Sequence, residues 1–155
     1  VELIELKKVD IITIDMGCKI NGYCSDMTRT IFVGEVPKNM KDVYDLVLKN
    51  QEQVLDDMHD GASTKQISKM VDNDFRLHNY DLIHALGHGV GLDIHEGPVL
   101  SINSENTLKE NMIVTDEPGI YIPGQFGIRI EDTVLINKGT CEPLTKSNKK
   151  YVIVR

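Results

Sequence analysis

Asn21-Gly22 constrains this chain more than any other pair of residues. An Asn-Gly pair tolerates the two left-handed conformations of a tight hairpin turn, where most side chains would clash. It lies between Val9 to Ile14, an apolar and β-branched run, and Tyr23 to Val33, a second strand candidate. A two-residue turn sets the register: Ile20 opposes Tyr23, and Gly17 opposes Asp26. Asp15 then shares a face with Asp26 as its diagonal neighbour, at roughly 7–8 Å between backbones. Two carboxylates so placed repel each other with nothing between them, and they can close on a pair of cations. Thr28 and Thr30 continue the row of Asp26 along a strand that otherwise reads as buried, and a polar row there needs partners.

Pro37 ends this β region. Met40, Val43, Leu46, Val47, Val54, Leu55 and Met58 then recur at helical spacing, which predicts an amphipathic helix from Asn39 to His59 with Gly61 placed to stop it. Ser63 and Gln66 form a capping-box pattern for a second helix, whose apolar face is Ile67, Met70, Val71 and Phe75. Gly87 to Gly97 is glycine-rich and is expected to be irregular. Strands are expected again over Met112 to Thr115, continuing near Tyr121, and over Gly127 to Ile136. Strands, two helices, then strands predict an α+β domain: an antiparallel sheet with helices on one face, built around one core.

In the last strand Arg129, Glu131 and Thr133 share one face, and Ile128, Ile130, Val134 and Ile136 the other. An ordinary antiparallel strand would turn the polar face to solvent.

Acidic residues number 24 and basic residues 17, a net charge of −7. That balance disfavours nucleic acid or an anionic membrane surface as partner, and it leaves carboxylates to spare for cations. No apolar run is long enough to span a bilayer, and no signal peptide opens the chain. It begins at Val1 and reads as a piece of a longer protein. Cys18, Cys24 and Cys141 are an odd set without zinc-type spacing, which predicts free thiols in a reducing compartment, buried as small apolar residues. The hairpin sets Cys18 and Cys24 on opposite faces, against a bridge.

His84, His88 and His95 fall within twelve residues, although the chain has 5 histidines in all. Gly87, Gly89 and Gly91 disfavour a zinc-binding helix there, and no His-Glu-x-x-His motif is present. A lone histidine is ordinarily a hydrogen-bonded core residue; three in one glycine-rich loop point to a site. Glu117-Pro118-Gly119 adds a carboxylate just before a turn.

Five segments then combine: Ile14 to Cys18 (IDMGC), Gly22 to Thr30 (GYCSDMTRT), Gly87 to Glu96 (GHGVGLDIHE), Glu117 to Tyr121 (EPGIY) and Gly127 to Asp132 (GIRIED). In order and spacing they resemble the pita-bread metallopeptidases, which include methionine aminopeptidase, aminopeptidase P and prolidase. The resemblance implies the pita-bread fold, a curved antiparallel sheet with helices outside. It implies one incomplete catalytic domain over residues 1–155, lacking an upstream portion that covers apolar surface and, in the prolidase branch, an N-terminal domain. It carries the metal ligands onto Asp15, Asp26, His88, Glu117 and Glu131, with Asp26 and Glu131 bridging two ions. This oxygen-rich set suits Mn²⁺ and tolerates Co²⁺ or Zn²⁺. The implied reaction is hydrolysis by water held between the ions. Glu117 would shuttle the proton, and His84 and His95 would bind substrate or stabilise the oxyanion. Tyr121 and Arg129 match positions near the site in the proline-specific branch, Arg129 touching substrate or holding the carboxylates.

That branch implies Xaa-Pro dipeptidase or aminopeptidase activity on small peptides with proline second, in a cytoplasmic homodimer. Methionine aminopeptidase is the alternative, and a non-catalytic pita-bread binding module the alternative of another class. Asp116 departs from the pattern, which more often has an apolar residue there; its extra charge is expected either to retune one metal or to face solvent.

Overall fold

A computed structural model describes residues 5–7 and 9–155. Strand β1 (Ile11–Met16) leads through β2 (Lys19–Ile20) to the turn, and β3 (Tyr23–Cys24) and β4 (Met27–Val33) return antiparallel. Asn21 and Gly22 take φ of 51° and 90°, the left-handed pair expected of Asn-Gly. The register is that of a two-residue turn on both sides of the break: Ile20 faces Tyr23, and Asp15 faces Thr28.

The hairpin departs from expectation in two ways. Its first strand starts at Ile11 rather than Val9, and its second is interrupted at Ser25 and Asp26. The interruption has a cause. Both backbone groups of Asp26 bond the hydroxyl of Thr133, not β1, at 3.2 and 2.7 Å. The chains also press together here, where a Cβ on Gly17 would lie 2.2 Å from the carbonyl oxygen of Ser25.

Helix α1 (Lys38–Asp57) follows Pro37, and α2 (Thr64–Leu77) starts at Ser63, whose hydroxyl accepts the backbone N–H of Gln66. The first helix stops short of the expected His59 and is not ended by Gly61. Met58 turns extended instead, with its side chain wholly buried, and Gly61 takes its positive φ of 88° in the turn beyond. Burial of Met58 sets the exit.

The glycine-rich stretch is more regular than expected. β5 (Gly87–Gly89) and β6 (Glu96–Leu100) occupy its two ends. Its glycines serve close approach: a Cβ on Gly87 would meet the Thr115 oxygen at 2.1 Å, and one on Gly89 the Gly97 oxygen at 2.2 Å. Then come β7 (Ile113–Asp116), β8 (Gly119–Ile122), β9 (Phe126–Arg129), β10 (Asp132–Ile136), β11 (Cys141–Pro143) and β12 (Ile153–Val154). The single strand expected over Gly127 to Ile136 is thus two, parted at Ile130 and Glu131, where Glu131 bridges to Thr28.

The larger sheet runs β11-β10-β7-β5-β6, and a second runs β1-β4-β12; β8 and β9 form a hairpin between them. Every ladder is antiparallel except that of β12 with β4. The helices cover one side. Val43, Val47 and Val54 of α1 and Val71 and Phe75 of α2 join Val114, Ile128, Ile130, Val134 and Ile136 of the strands in one buried core. Each such side chain contributes roughly 1.5–3 kcal/mol relative to exposure, so the core fixes the sheet and leaves its other side free for chemistry. The described helices include none long and apolar enough to cross a membrane.

All three cysteines are free. None of them is buried, against expectation: Cys18 is exposed, and Cys24 and Cys141 are half-buried.

Candidate metal centre

Ligand atoms converge in three groupings among the described residues: Asp15, Asp26 and Glu131; His88, Glu117 and Glu131; and Asp26, His88 and His95. Within each grouping the atoms lie within 4.8 Å of one another. Shared members merge the three into one centre. Asp15 comes from β1, Asp26 from the break before β4, His88 from β5, Glu117 from just after β7 and Glu131 from the β9–β10 break. The strand alternation that put Asp15 and Asp26 on one face is what brings them to Glu131.

Hydrogen bonds orient these groups. The Nδ1 of His88 lies 3.0 Å from the Gly89 carbonyl, which can only accept, so that nitrogen carries the proton. Its Nε2 lone pair then points at Glu117 Oε1, 3.3 Å away, and at Asp26 Oδ2, 3.7 Å away. A lone pair facing two carboxylates is unfavourable with nothing between them, and it is the arrangement a cation needs. Thr28 donates to Glu131 Oε2 at 2.5 Å, and Thr115 donates to Glu117 Oε1 at 3.1 Å.

Arg129 gathers the open side. It donates through Nε to Thr28, through Nη1 to the Tyr121 hydroxyl at 2.9 Å, and through Nη2 to Asp15. Tyr121 in turn donates to His84 Nε2 at 3.1 Å, while His84 Nδ1 donates to Ala85 O at 2.7 Å. A Cβ on Gly119 would sit 2.7 Å from that hydroxyl and 3.0 Å from His84 Nε2, so only glycine leaves room for the pair. The ring of His95 is exposed and packs 4.4 Å from that of His88. A cavity of about 540 Å³ is lined by His84, His88, His95, Glu117 and Arg129.

The charges are crowded. Burial pushes the Glu131 carboxyl up to about 8, helped by Glu117 and Asp26 and opposed by the Thr28 hydrogen bond. Burial also raises Glu117, against the attraction of His88 and His84. Asp26 is raised by burial and by Asp15, and His88 offsets part of this. Three carboxyls held above their ordinary range by burial, two of them also by neighbouring carboxylates, form a set that divalent cations would relieve. The donor set fits such ions: hard carboxylate oxygens and one imidazole nitrogen with its tautomer fixed.

The model of metallopeptidase family M24 matches residues 3–138. The chain belongs to metallopeptidase family M24. It is 41% identical over 149 residues to the Xaa-Pro dipeptidase of Pyrococcus furiosus, covering 95% of this chain and 43% of that protein. Among solved structures it is similar to the X-Pro aminopeptidase of Thermotoga maritima MSB8, with a TM-score of 0.92 and 38% identity, covering 96% of this chain and 43% of that one. It is similar also to the Xaa-Pro dipeptidase of Bacillus anthracis, with a TM-score of 0.93 and 38% identity, covering 96% and 42%. The fold is therefore the pita-bread fold, and this M24 chain spans about two fifths of the length of the relatives it matches.

Every site residue expected from the M24 resemblance lies in or beside this centre. The solvated face expected of an ordinary final strand is overturned: Glu131 is 2% exposed and Thr133 4%. The β1–β4 hairpin closes over that face, so its polar groups find partners inside the protein. Asp116 does not face solvent either. It is fully buried on the helix side, opposite Asp132, and neither carboxylate oxygen has a hydrogen-bond partner among the described residues.

Three anchors were not singled out from the sequence. Thr115 holds Glu117. Arg29 binds the Glu131 carbonyl at 2.5 Å and Asp132 at 2.7 Å. Asp132 also accepts from Thr145 and Gln51. The alternation Asp116–Glu117 and Glu131–Asp132 carries a trace of this arrangement, because neighbouring strand residues face opposite ways.

Proposed function

We propose that the chain carries the two-metal centre of an Xaa-Pro peptidase, a hydrolase that removes an N-terminal residue from proline. The observation that carries the reading is the orientation of His88: its proton is committed to Gly89, and its lone pair is aimed into buried carboxylates. Asp15, Asp26, His88, Glu117 and Glu131 would hold two divalent ions, Asp26 and Glu131 shared between them. Mn²⁺ suits this set, with Co²⁺ or Zn²⁺ as substitutes. Bound ions would lower the pKa of water between them and polarise the scissile carbonyl.

The chain's own residues would do the rest. Glu117, one oxygen tied to Thr115, would take a proton and deliver it to the leaving nitrogen. His95 and His84 line the cavity and would contact the substrate carbonyl region, His84 held in one tautomer by Ala85 and Tyr121. Arg129 is engaged with Asp15, Thr28 and Tyr121, which supports a role in holding carboxylates. The cavity, of a size that suits small ligands, supports short peptides with proline second as substrates.

The names of the Pyrococcus furiosus, Thermotoga maritima and Bacillus anthracis relatives support Xaa-Pro specificity over methionine aminopeptidase. The full ligand set supports catalysis over a binding module. Residues 1–155 are read as one catalytic unit within a longer, cytoplasmic, homodimeric protein. The test is release of the N-terminal residue from Xaa-Pro dipeptides, longer Xaa-Pro peptides and Met-Ala peptides by the full-length protein, with Mn²⁺ and after chelation. Metal-dependent cleavage of the Xaa-Pro peptides alone is expected. Cleavage of Met-Ala peptides instead would replace the substrate class, and no metal binding by folded protein would leave the binding-module reading.

A further inference from the structure

Two buried threonine hydroxyls at the centre have their protons directed by groups that can only donate. Thr28 on β4 and Thr115 on β7 are both fully buried. The Nε–H of Arg129 donates to Thr28 Oγ1 at 3.1 Å, and arginine has no acceptor to offer. The single hydroxyl proton of Thr28 must therefore point onward, and its partner is Glu131 Oε2. Thr115 repeats the pattern. The backbone N–H of His88 donates to Thr115 Oγ1 at 3.0 Å, and the hydroxyl donates to Glu117 Oε1.

The geometry points to Thr28 and Thr115 as positioning residues that fix the carboxylate planes of Glu131 and Glu117, so that their remaining oxygen lone pairs meet cations. The proposal rests on the two-metal reading above. Each threonine joins two members of the centre: Thr28 ties Glu131 to Arg129, and through it to Asp15, while Thr115 ties Glu117 to the strand that carries His88. The backbone fixes both links. Thr28 opposes Glu131 in a β-bridge, and Thr115 lies two residues before Glu117, on its side of the chain. Thr133 and Thr30, by contrast, bond only backbone groups of Asp26 and Arg129, so their hydroxyls hold the chain and not a carboxylate.

A threonine in a strand has an ordinary role too, since its branched shape packs well there. Valine keeps that shape and removes the hydroxyl; serine keeps the hydroxyl and removes the methyl. The test compares Thr28→Val, Thr28→Ser, Thr115→Val and Thr115→Ser in the full-length protein. It reads Mn²⁺ affinity by competition with a chelator, the visible absorption of the Co²⁺ form, and the unfolding midpoint of the metal-free form.

Each valine variant is expected to bind Mn²⁺ about 10–100-fold more weakly and to shift the Co²⁺ spectrum, as loss of a group that orients a ligand does. Each serine variant is expected to stay near wild type in both. Valine variants with wild-type affinity and spectrum overturn the proposal while wild type still binds two ions. Serine variants as weak as valine also overturn it, because the methyl would then be what matters. Should Thr28→Val not fold, Thr28→Ala against Thr28→Ser decides the same point. Wild-type protein that binds fewer than two ions removes the two-metal reading, and this proposal with it.

Discussion

Glu131 and Asp132 are neighbours in sequence and both buried, yet their carboxyls are displaced in opposite directions. Burial and two nearby carboxylates push Glu131 up to about 8. Burial raises Asp132 as well, but hydrogen bonds from Thr145 and Arg29 and the charge of Arg29 outweigh it and leave the carboxyl below its usual range. The strand turns one to the open side and the other to the helices. On the helix side the chain supplies its own cations, Arg29 and Lys149, at 2.7 and 3.2 Å from Asp132. On the open side, among the described residues, Arg129 is the one arginine or lysine paired with the four carboxylates. A closed ion-pair cluster serves stability; an unbalanced one of the same residue types asks for ions from outside.

Single substitutions should split the two sides cleanly. Glu131→Ala and Asp26→Ala in the full-length protein are expected to lower the proposed metal-dependent Xaa-Pro hydrolysis by about a thousandfold or more while leaving the metal-free protein folded. Peptide turnover and thermal unfolding of the same samples check this. Asp132→Ala is expected to do the reverse. It strands Arg29 in the interior and should cost about 3–5 kcal/mol in denaturant unfolding, with the number of ions bound per folded chain unchanged. Equal losses of stability from Glu131→Ala and Asp132→Ala would erase the distinction between the sides.

Titration sharpens the comparison further. A carboxyl with an ordinary value of 4.5 that lies at about 8 in the fold keeps its proton over a range where the unfolded chain has lost it. The folded state then binds more protons, so stability falls as pH rises between those values, by about 1.4 kcal/mol per pH unit for one proton. The raised Asp26 and Glu117 act in the same sense. Metal-free protein should therefore lose stability from about pH 5 to pH 8, and saturating Mn²⁺ should remove the trend, since ions take up the deprotonated carboxylates. Unfolding midpoints across that range, with and without Mn²⁺, are the measurement. A flat metal-free profile would show that the open side is not electrostatically strained.

The two sides were not equally legible in the sequence. Asn21-Gly22 gave the register of β1 and β4, and with it the shared face of Asp15 and Asp26, because a turn and a period of two are local properties. The five candidate ligand positions stood in motifs, so their convergence could be expected. The helix side was hidden. Nothing local tells that Arg29 reaches Asp132, 103 positions away, or that Lys149 and Thr145 fold back to the same carboxylate. The break at Ser25 and Asp26 was hidden for the same reason, since the partner that replaces β1 is Thr133. Sequence patterns show which face a residue takes, but which distant group meets it there is a matter of packing.

Asp116 is where the sides come closest to conflict, and it supplies the smallest effect. It precedes Glu117 but turns to the helix side, where burial and then Asp132 push its carboxyl well above the ordinary range. Arg29 and Lys149 are already engaged with Asp132, and neither Asp116 oxygen has a hydrogen-bond partner among the described residues. A buried polar group without partners costs stability, so Asp116→Val, apolar and suited to a strand, should raise the stability of the protein by roughly 1 kcal/mol. It should leave Mn²⁺ affinity where it was, because the removed carboxyl lies behind the sheet and Thr115 still holds Glu117 from the front. Unfolding midpoints and chelator competition on the one variant test both halves. A gain in stability accompanied by altered metal affinity would mean that the carboxyl behind the sheet is felt through it, and that the centre is tuned from the helix side as well as from its own.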